Sequence, residues 1–419
     1  MSAKTLNYTK TKYACYYAYL SMASAYSLPP LLFVTFRDMY GISYTLLGAL
    51  VLINFCTQLL IDLIFSFFTK YFNIRKVAKT MPLITSVGFL IYALVPTFFP
   101  RFAYAGLVAG TLVFSVAAGL CEVLMSPMVA SLPSDNPERD MSMLHSLYAW
   151  GVLMVVIITT VFQGLFGREN WMYLTIFLAL LPLLAAYLFA TSPIPEMHLD
   201  HSSGGAKAKN RTIGLALCTA CIFLGSAAEN TMSNWISGYM ENALHIPKTL
   251  GDIFGLALFA VLLGLVRTLY AKYGRNISAV LLAGMVGATV CYLIIGLSNN
   301  NVLCFVACVL VGLVTSMLWP GTLILMEERI PAPGVAAYAL MAAGGDVGAS
   351  VAPQLLGIVV DNVSASEWAV GLGATLSLSA EQIGMKVGML VAGVFPFLGI
   401  FLLLYIKHYF KKNKLQKGE

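Results

Sequence analysis

The sequence predicts an all-α membrane protein of twelve transmembrane helices, arranged as two six-helix halves related by pseudo-two-fold symmetry. Three observations carry that prediction. First, 59% of the 419 residues are hydrophobic and 11% charged, with a mean hydropathy of +0.82. A water-soluble domain has about 25% charged residues, so lipid is the expected solvent. Second, apolar runs near the length needed to cross the hydrocarbon recur twelve times, six on each side of one polar stretch. Third, the chain repeats itself. Gly312-Leu313 and Pro320 lie 193 residues after Gly119-Leu120 and Pro127, and Gly344 and Gly357 lie at the same offset from Gly151 and Gly164. A period of about half the chain marks an internally duplicated architecture.

The first six spans are expected near 13–36, 43–69, 78–98, 102–130, 143–166 and 170–191. The second six are expected near 212–240, 250–271, 277–297, 302–326, 335–361 and 386–408. The halves are therefore 1–191 and 212–408, joined by a polar cytoplasmic linker at 192–211 and followed by a basic tail at 409–419. The net charge of +6 is unevenly distributed. Loops on the side of the N-terminus carry about 19 of the 25 Lys and Arg, and the opposite side only Arg37, Arg101, Arg168, Lys248 and Lys386. That asymmetry puts both termini in the cytoplasm. It orients the chain in a cell inner (plasma) membrane and implies no nucleic-acid partner. The polar start leads directly into a full span, without the short apolar region of a cleavable signal.

The eight cysteines all fall in apolar runs and read as buried free thiols. Cys218 and Cys221 have redox spacing but sit inside a span without a βαβ context. There is no Gly-rich phosphate loop, no metal-spaced His cluster and no nucleophile elbow, so neither enzyme activity nor a cofactor or metal is expected.

Ionisable and amide groups inside the spans are the candidate functional residues, because such groups are costly at membrane depth. Glu122 stands in the middle of the fourth span, with Ser126 one turn on. At the repeat positions of these two stand Thr315 and Trp319. In the second span Asn54, Gln58 and Asp62 are four apart and share a helix face. That polar stripe must face protein or a water-filled cavity. In the first span Tyr19 and Tyr26 share a face, which suits core packing or ring contact with a solute. Pro29-Pro30 should break or kink that helix. The seventh span groups Glu229, Asn230, Ser233, Asn234 and Trp235. In the eleventh, Asp346 is flanked by glycines. His145, a turn into the fifth span, suits either a satisfied helix-end group or a proton carrier. Arg267 reads as part of a structural ion pair with Glu327 or Glu328, with substrate contact the other reading. Asp252, Asp361 and Glu241 read as solvated charges near the outer face.

The loops Lys70-Tyr71-Phe72-Asn73-Ile74-Arg75-Lys76 and Lys272-Tyr273-Gly274-Arg275 follow the second helix of each half. They resemble the basic loop motif of the major facilitator superfamily, with Lys70 and Asn73 where the usual Asp and Gly stand. The chain resembles that superfamily over nearly its whole length. Gly119-Leu120, Glu122 and Pro127 are similar to the fourth helix of fucose permease-like sugar:proton symporters, and His145 to Gly151, with Glu229 and Trp235, fit that group loosely. The resemblance implies that Glu122 contacts sugar hydroxyls or takes part in coupling. The group's membrane-embedded aspartate of the first helix is missing here, its nearest position being about Pro30, which leaves Asp62 or Asp346 as the displaced proton site.

Together these features predict a secondary active transporter, a proton-coupled symporter of a small polar solute such as a sugar, working by alternating access. Glu122, Asn54, Gln58, Glu229, Asn234, Trp235, Trp319 and Tyr26 are the expected solute contacts. Asp62, Asp346, Glu122 and His145 are the proton-coupling candidates, with sodium the other conceivable coupling ion. Carboxylates and amides bond hydroxyls through several donors and acceptors. An acid in a low-dielectric cavity can load and release a proton near neutral pH. The alternatives are an exporter of amphipathic or cationic compounds and a non-transporting receptor on the same scaffold. A monomer in the lipid bilayer is expected.

Overall fold

A computed structural model of the chain describes residues 8–68, 71–134, 137–195, 208–330 and 334–412. All regular structure among them is helical. Eleven helical segments are long and apolar enough to cross a membrane, and a bent pair makes the twelfth span. That pair is α1 (Thr9–Leu31) and α2 (Phe33–Tyr40), which meet at 44°. Pro29 and Pro30 explain the bend, since neither can donate to the helical ladder; the N–H of Leu32 falls back to the carbonyl of Pro29.

The chain continues through α3 (Tyr44–Phe68), α4 (Ile74–Phe98), α5 (Ala103–Ala130) and α6 (Pro137–Phe166). Next, α7 (Trp171–Leu178) and α8 (Leu181–Thr191) share one span. The second half opens with α9 (Ala208–Asn242) and the short α10 (Lys248–Leu250), which runs through a π-helical turn at Gly251–Ala257 into α11 (Leu258–Tyr273). Then come α12 (Ile277–Leu297), the pair α13 (Asn301–Thr315) and α14 (Pro320–Arg329) in one broken span, and α15 (Gly334–Ser364). Finally α16 (Glu367–Leu376) precedes α17 (Ala380–Lys412). The ten residues of α16 are too few to cross the hydrocarbon, and span-length patterning did not predict them. Helix starts carry their expected caps. Asn73, Asn300 and Ser366 accept from the backbone N–H three residues on, meeting donors that have no partner inside the helix.

Two compact units are formed, one from the described parts of 1–32 and 60–200, the other from those of 33–59 and 201–419. In the first, α1 packs on α6 and α4 on α5. In the second, α9 packs on α15 and α12 on α17. The repeat glycines explain one of these pairings twice. A Cβ at Gly151 of α6 would collide with the Leu20 carbonyl and the Ala23 methyl of α1. A Cβ at Gly344 of α15 would collide with Thr219 of α9. In both units a small residue lets the first and fifth spans approach closely, where packing rather than a hydrophobic drive holds helices together. Large apolar side chains such as Leu165, Tyr187 and Phe397 point outward, as lipid contact requires.

A polar contact joins the N-terminal ends of α1 and α6. Lys12 pairs with Asp140 at 3.2 Å, and Ser134 and Tyr16 also donate to that carboxylate. Burial raises the Asp140 pKa, but these hydrogen bonds and the Lys12 charge outweigh it and hold the group below its ordinary value. A depressed carboxylate stabilises the fold above its unfolded pKa, and that contribution is lost as pH falls through the lowered folded value. Asp140→Asn is expected to lower the thermal midpoint at neutral pH by the equivalent of less than about 1 kcal/mol. The difference from wild type should close below about pH 4. Thermal scans of both proteins across that range test this; a gap that widens on acidification contradicts it.

Candidate solute and proton site

In the first unit, α1 and α5 bring a carboxylate to one phenol, whose ring packs on a second phenol from α6. Glu122 of α5 is half-buried, and the Tyr26 hydroxyl of α1 donates to its Oε2 at 3.5 Å. The ring of Tyr26 meets Tyr148 of α6 edge to face, with centroids 5.6 Å apart. Two residues predicted from different spans, Tyr26 and Glu122, are thus neighbours. The hydrogen bond is long, so the carboxylate keeps acceptor capacity for another donor. The side chain of His145, one turn before Tyr148 on α6, lies outside the described residues.

The stripe on α3 is buried along its length: Asn54 is 6% exposed, Gln58 fully covered and Asp62 4% exposed. It faces protein, not lipid. Gln58 Nε2 donates to Asn54 Oδ1 at 2.9 Å, so these two amides partly satisfy one another.

In the second unit the polar side chains of α9 are largely engaged. Asn230 donates to the Ser226 hydroxyl and carbonyl, and Asn234 to the Asn230 carbonyl. Trp235 is fully enclosed. Its indole N–H donates to the Pro353 carbonyl at 3.1 Å, and its ring meets Phe33 and Tyr44. In this conformation it offers no ring face to a solute. Glu229 carries the principal surprise. Its carboxylate receives Arg267 Nη2 of α11 at 2.9 and 3.2 Å, while Arg267 Nε donates to the Ser316 carbonyl at 2.8 Å. The partner of Arg267 is therefore Glu229 rather than the expected Glu328, and the side chain of Glu327 lies outside the described residues. The guanidinium turns back along α11 toward mid-span, where an acid relieves the cost of a buried charge.

Ser316 lies at the break between α13 and α14, the second copy of the Gly-Leu…Pro stretch. At the repeat position of Glu122 stands Thr315, fully buried and bonded to the Val311 carbonyl of its own helix. Trp319, at the end of the break, is half-buried, with its ring against Gly345 of α15. Next along that helix, Asp346 is 1% exposed.

Two acids expected to be solvated are not. Asp252 is 1% exposed and bonded to Lys248 Nζ at 2.7 Å and to the Ser237 hydroxyl, because the π-helical turn carries it inward. Asp361 accepts from the backbone N–H groups of Tyr44 and Thr45 and from the Thr45 hydroxyl, so it caps α3 from α15. Sequence reasoning missed both, although the four-residue spacing of Lys248 and Asp252 was a usable signal.

The family model described as Major Facilitator Superfamily matches residues 15–353. Comparison with curated proteins finds no match. Among solved structures, the chain is similar to a bacterial homolog of the human lysosomal transporter Spinster in an inward-facing, occupied conformation. The TM-score is 0.75 at 13% identity, covering 97% of this chain and 98% of that one. It is similar to a D-xylose-proton symporter with TM-score 0.74 at 13% identity, covering 93% and 98%. It is also similar to the fucose:proton symporter of E. coli with TM-score 0.59 at 12% identity, covering 94% and 99%. At these identities the likeness is one of fold.

Proposed function

The chain belongs to the major facilitator superfamily, and from that premise we propose that it moves a small polar solute such as a sugar in symport with protons, by alternating access. The observation that carries this reading is Glu122, a carboxylate within a span, half-buried and touched by the hydroxyl of Tyr26. An intramembrane acid beside a phenol can hold a proton and accept from a solute hydroxyl. Further support comes from Asp62 and Asp346, both buried within spans, and from neighbours named as proton symporters of D-xylose and fucose. We place the chain in the plasma membrane with both termini cytoplasmic, on the positive-inside distribution of its Lys and Arg.

A thermal-shift screen of purified protein against sugars, amino acids and hydrophobic cations identifies the solute, since a ligand that binds only the native state raises its stability. With a solute in hand, Glu122→Gln and Asp346→Asn are reconstituted in vesicles under an imposed pH gradient. Glu122→Gln is expected to abolish concentrative uptake while counterflow exchange continues. Loss of exchange as well would assign Glu122 to solute binding. If neither variant differs from wild type, the coupling reading is wrong. A response to hydrophobic cations alone would favour export of amphipathic compounds.

A further inference from the structure

We propose that Arg267 is the anchor for a carboxylate on the transported solute, and that Glu229 yields its place on the guanidinium when it is protonated. This deepens the symport reading and rests on it, narrowing the solute from polar compounds at large to small polyhydroxy or hydroxy acids.

Four observations converge on Arg267. Its guanidinium lies in a span, only 16% exposed, and a charge there is retained at a cost. It already holds a carboxylate side-on through Nη2, so its setting accepts that ligand geometry. Its Nε is fixed to the Ser316 carbonyl at the break between α13 and α14, which orients the planar fork without using Nη1. Among the described residues, no hydrogen bond uses the Nη1 donors. An incoming carboxylate can therefore engage one edge of the fork before Glu229 leaves the other.

Charge balance favours an acid over a neutral solute. A neutral molecule displacing Glu229 would leave a carboxylate and a guanidinium apart and uncompensated in the membrane. An anion arriving as Glu229 binds a proton leaves the site as neutral as it began: Arg267 stays positive, Glu229 becomes a carboxylic acid, and the solute supplies the negative charge. Solute anion and proton then cross together with no net charge.

Other charged groups lie on the elements packed against α9 and α11. Lys248 and Asp252 pair with each other, Lys386 donates to the Ser298 carbonyl, and Asp361 and Glu381 are engaged at Tyr44. Glu328, Arg329, Lys407 and His408 lie near helix ends. Asp346 of α15 is a second buried acid.

The test uses the purified full chain in detergent, with D-gluconate, D-galacturonate and D-lactate set against D-glucose and D-galactose in thermal-shift titrations at mildly acid and mildly alkaline pH. The carboxylates are expected to stabilise and the neutral sugars not. Carboxylate affinity should rise on acidification by up to about tenfold per pH unit, the slope of one proton bound with each anion. E229Q should keep the binding and lose its pH dependence. R267Q/E229Q, which removes both charges together, should lose the carboxylate response while unfolding in one transition. If that pair does not fold, E229Q alone carries the decision: binding that stays pH-dependent overturns the proposal. Stabilisation by neutral sugars alone overturns it and leaves the symport reading standing. Silence from both classes removes both readings, and carboxylate binding to R267Q/E229Q at wild-type affinity removes the anchor alone.

Discussion

Lys248→Met is expected to lower the stability of the second unit by about 3–5 kcal/mol, the cost of leaving one partner of a buried ion pair uncompensated. Lys248 and Asp252 are 3% and 1% exposed at the side chain and 2.7 Å apart. They are four residues apart, Lys248 on α10 and Asp252 in the π-helical turn that follows, and both contact Ser237 of α9. Removing the ammonium leaves Asp252 with one hydroxyl as its partner in a site closed to water. The same reasoning predicts the opposite for the pair. Lys248→Met with Asp252→Leu together should be close to neutral, because desolvating two charges offsets most of what their attraction returns. Thermal unfolding of both single variants and the double variant closes the cycle. Single losses under about 1 kcal/mol would mean that the pair is solvated after all.

That pair also shows what the sequence conveys and what it withholds. Patterns within one helix were legible. The apolar runs located the spans, Pro29-Pro30 located the bend, and four-residue spacing put Asn54, Gln58 and Asp62 on one buried face. The repeat offset marked Gly151 and Gly344, which serve equivalent helix contacts in the two units. Partnerships between spans were less so. Arg267 is 38 residues from Glu229, and the sequence pointed instead to Glu327 and Glu328, which end the tenth span. A guanidinium on a long stem reaches more than a turn, so its position on α11 did not fix its partner. Trp235 stood among polar residues in the chain and looked like a cavity wall. Its neighbours in space are Phe33, Tyr44 and the Pro353 carbonyl, contributed by segments that no local pattern connects to it. Glu122 and Tyr26 were singled out separately for membrane depth and ring position, and their contact is a product of how α1 and α5 pack.

The same lack of a local signal conceals Asp361, whose replacement has the other large expected effect. Asp361→Ala should loosen 33–59 from the rest of the second unit, at a cost of about 2–3 kcal/mol for the lost charge-assisted bonds. The first N–H groups of α3 have no carbonyl of their own helix to reach. Asp361, 317 positions away from Tyr44, supplies the missing acceptor for Tyr44 and Thr45. The segment is held at a second point by the Tyr44 side chain. Its hydroxyl donates to Glu381 and accepts from Asn242 at 2.9 Å, and Arg37 stacks on the ring with its guanidinium carbon 4.0 Å from the centroid. Three helices of the second half thus grip the start of α3 through side chains that would release it intact, since each bond can be exchanged for water without unfolding a helix. The clasp on the start of α3 is therefore polar rather than apolar. Hydrogen exchange of the 43–48 amides should speed up in Asp361→Ala, with α12 and α13 unchanged. Tyr44→Phe should act in the same direction and more weakly, because it leaves the backbone cap in place. Exchange that rises equally across the second unit would instead assign Asp361 to global stability and remove the clasp.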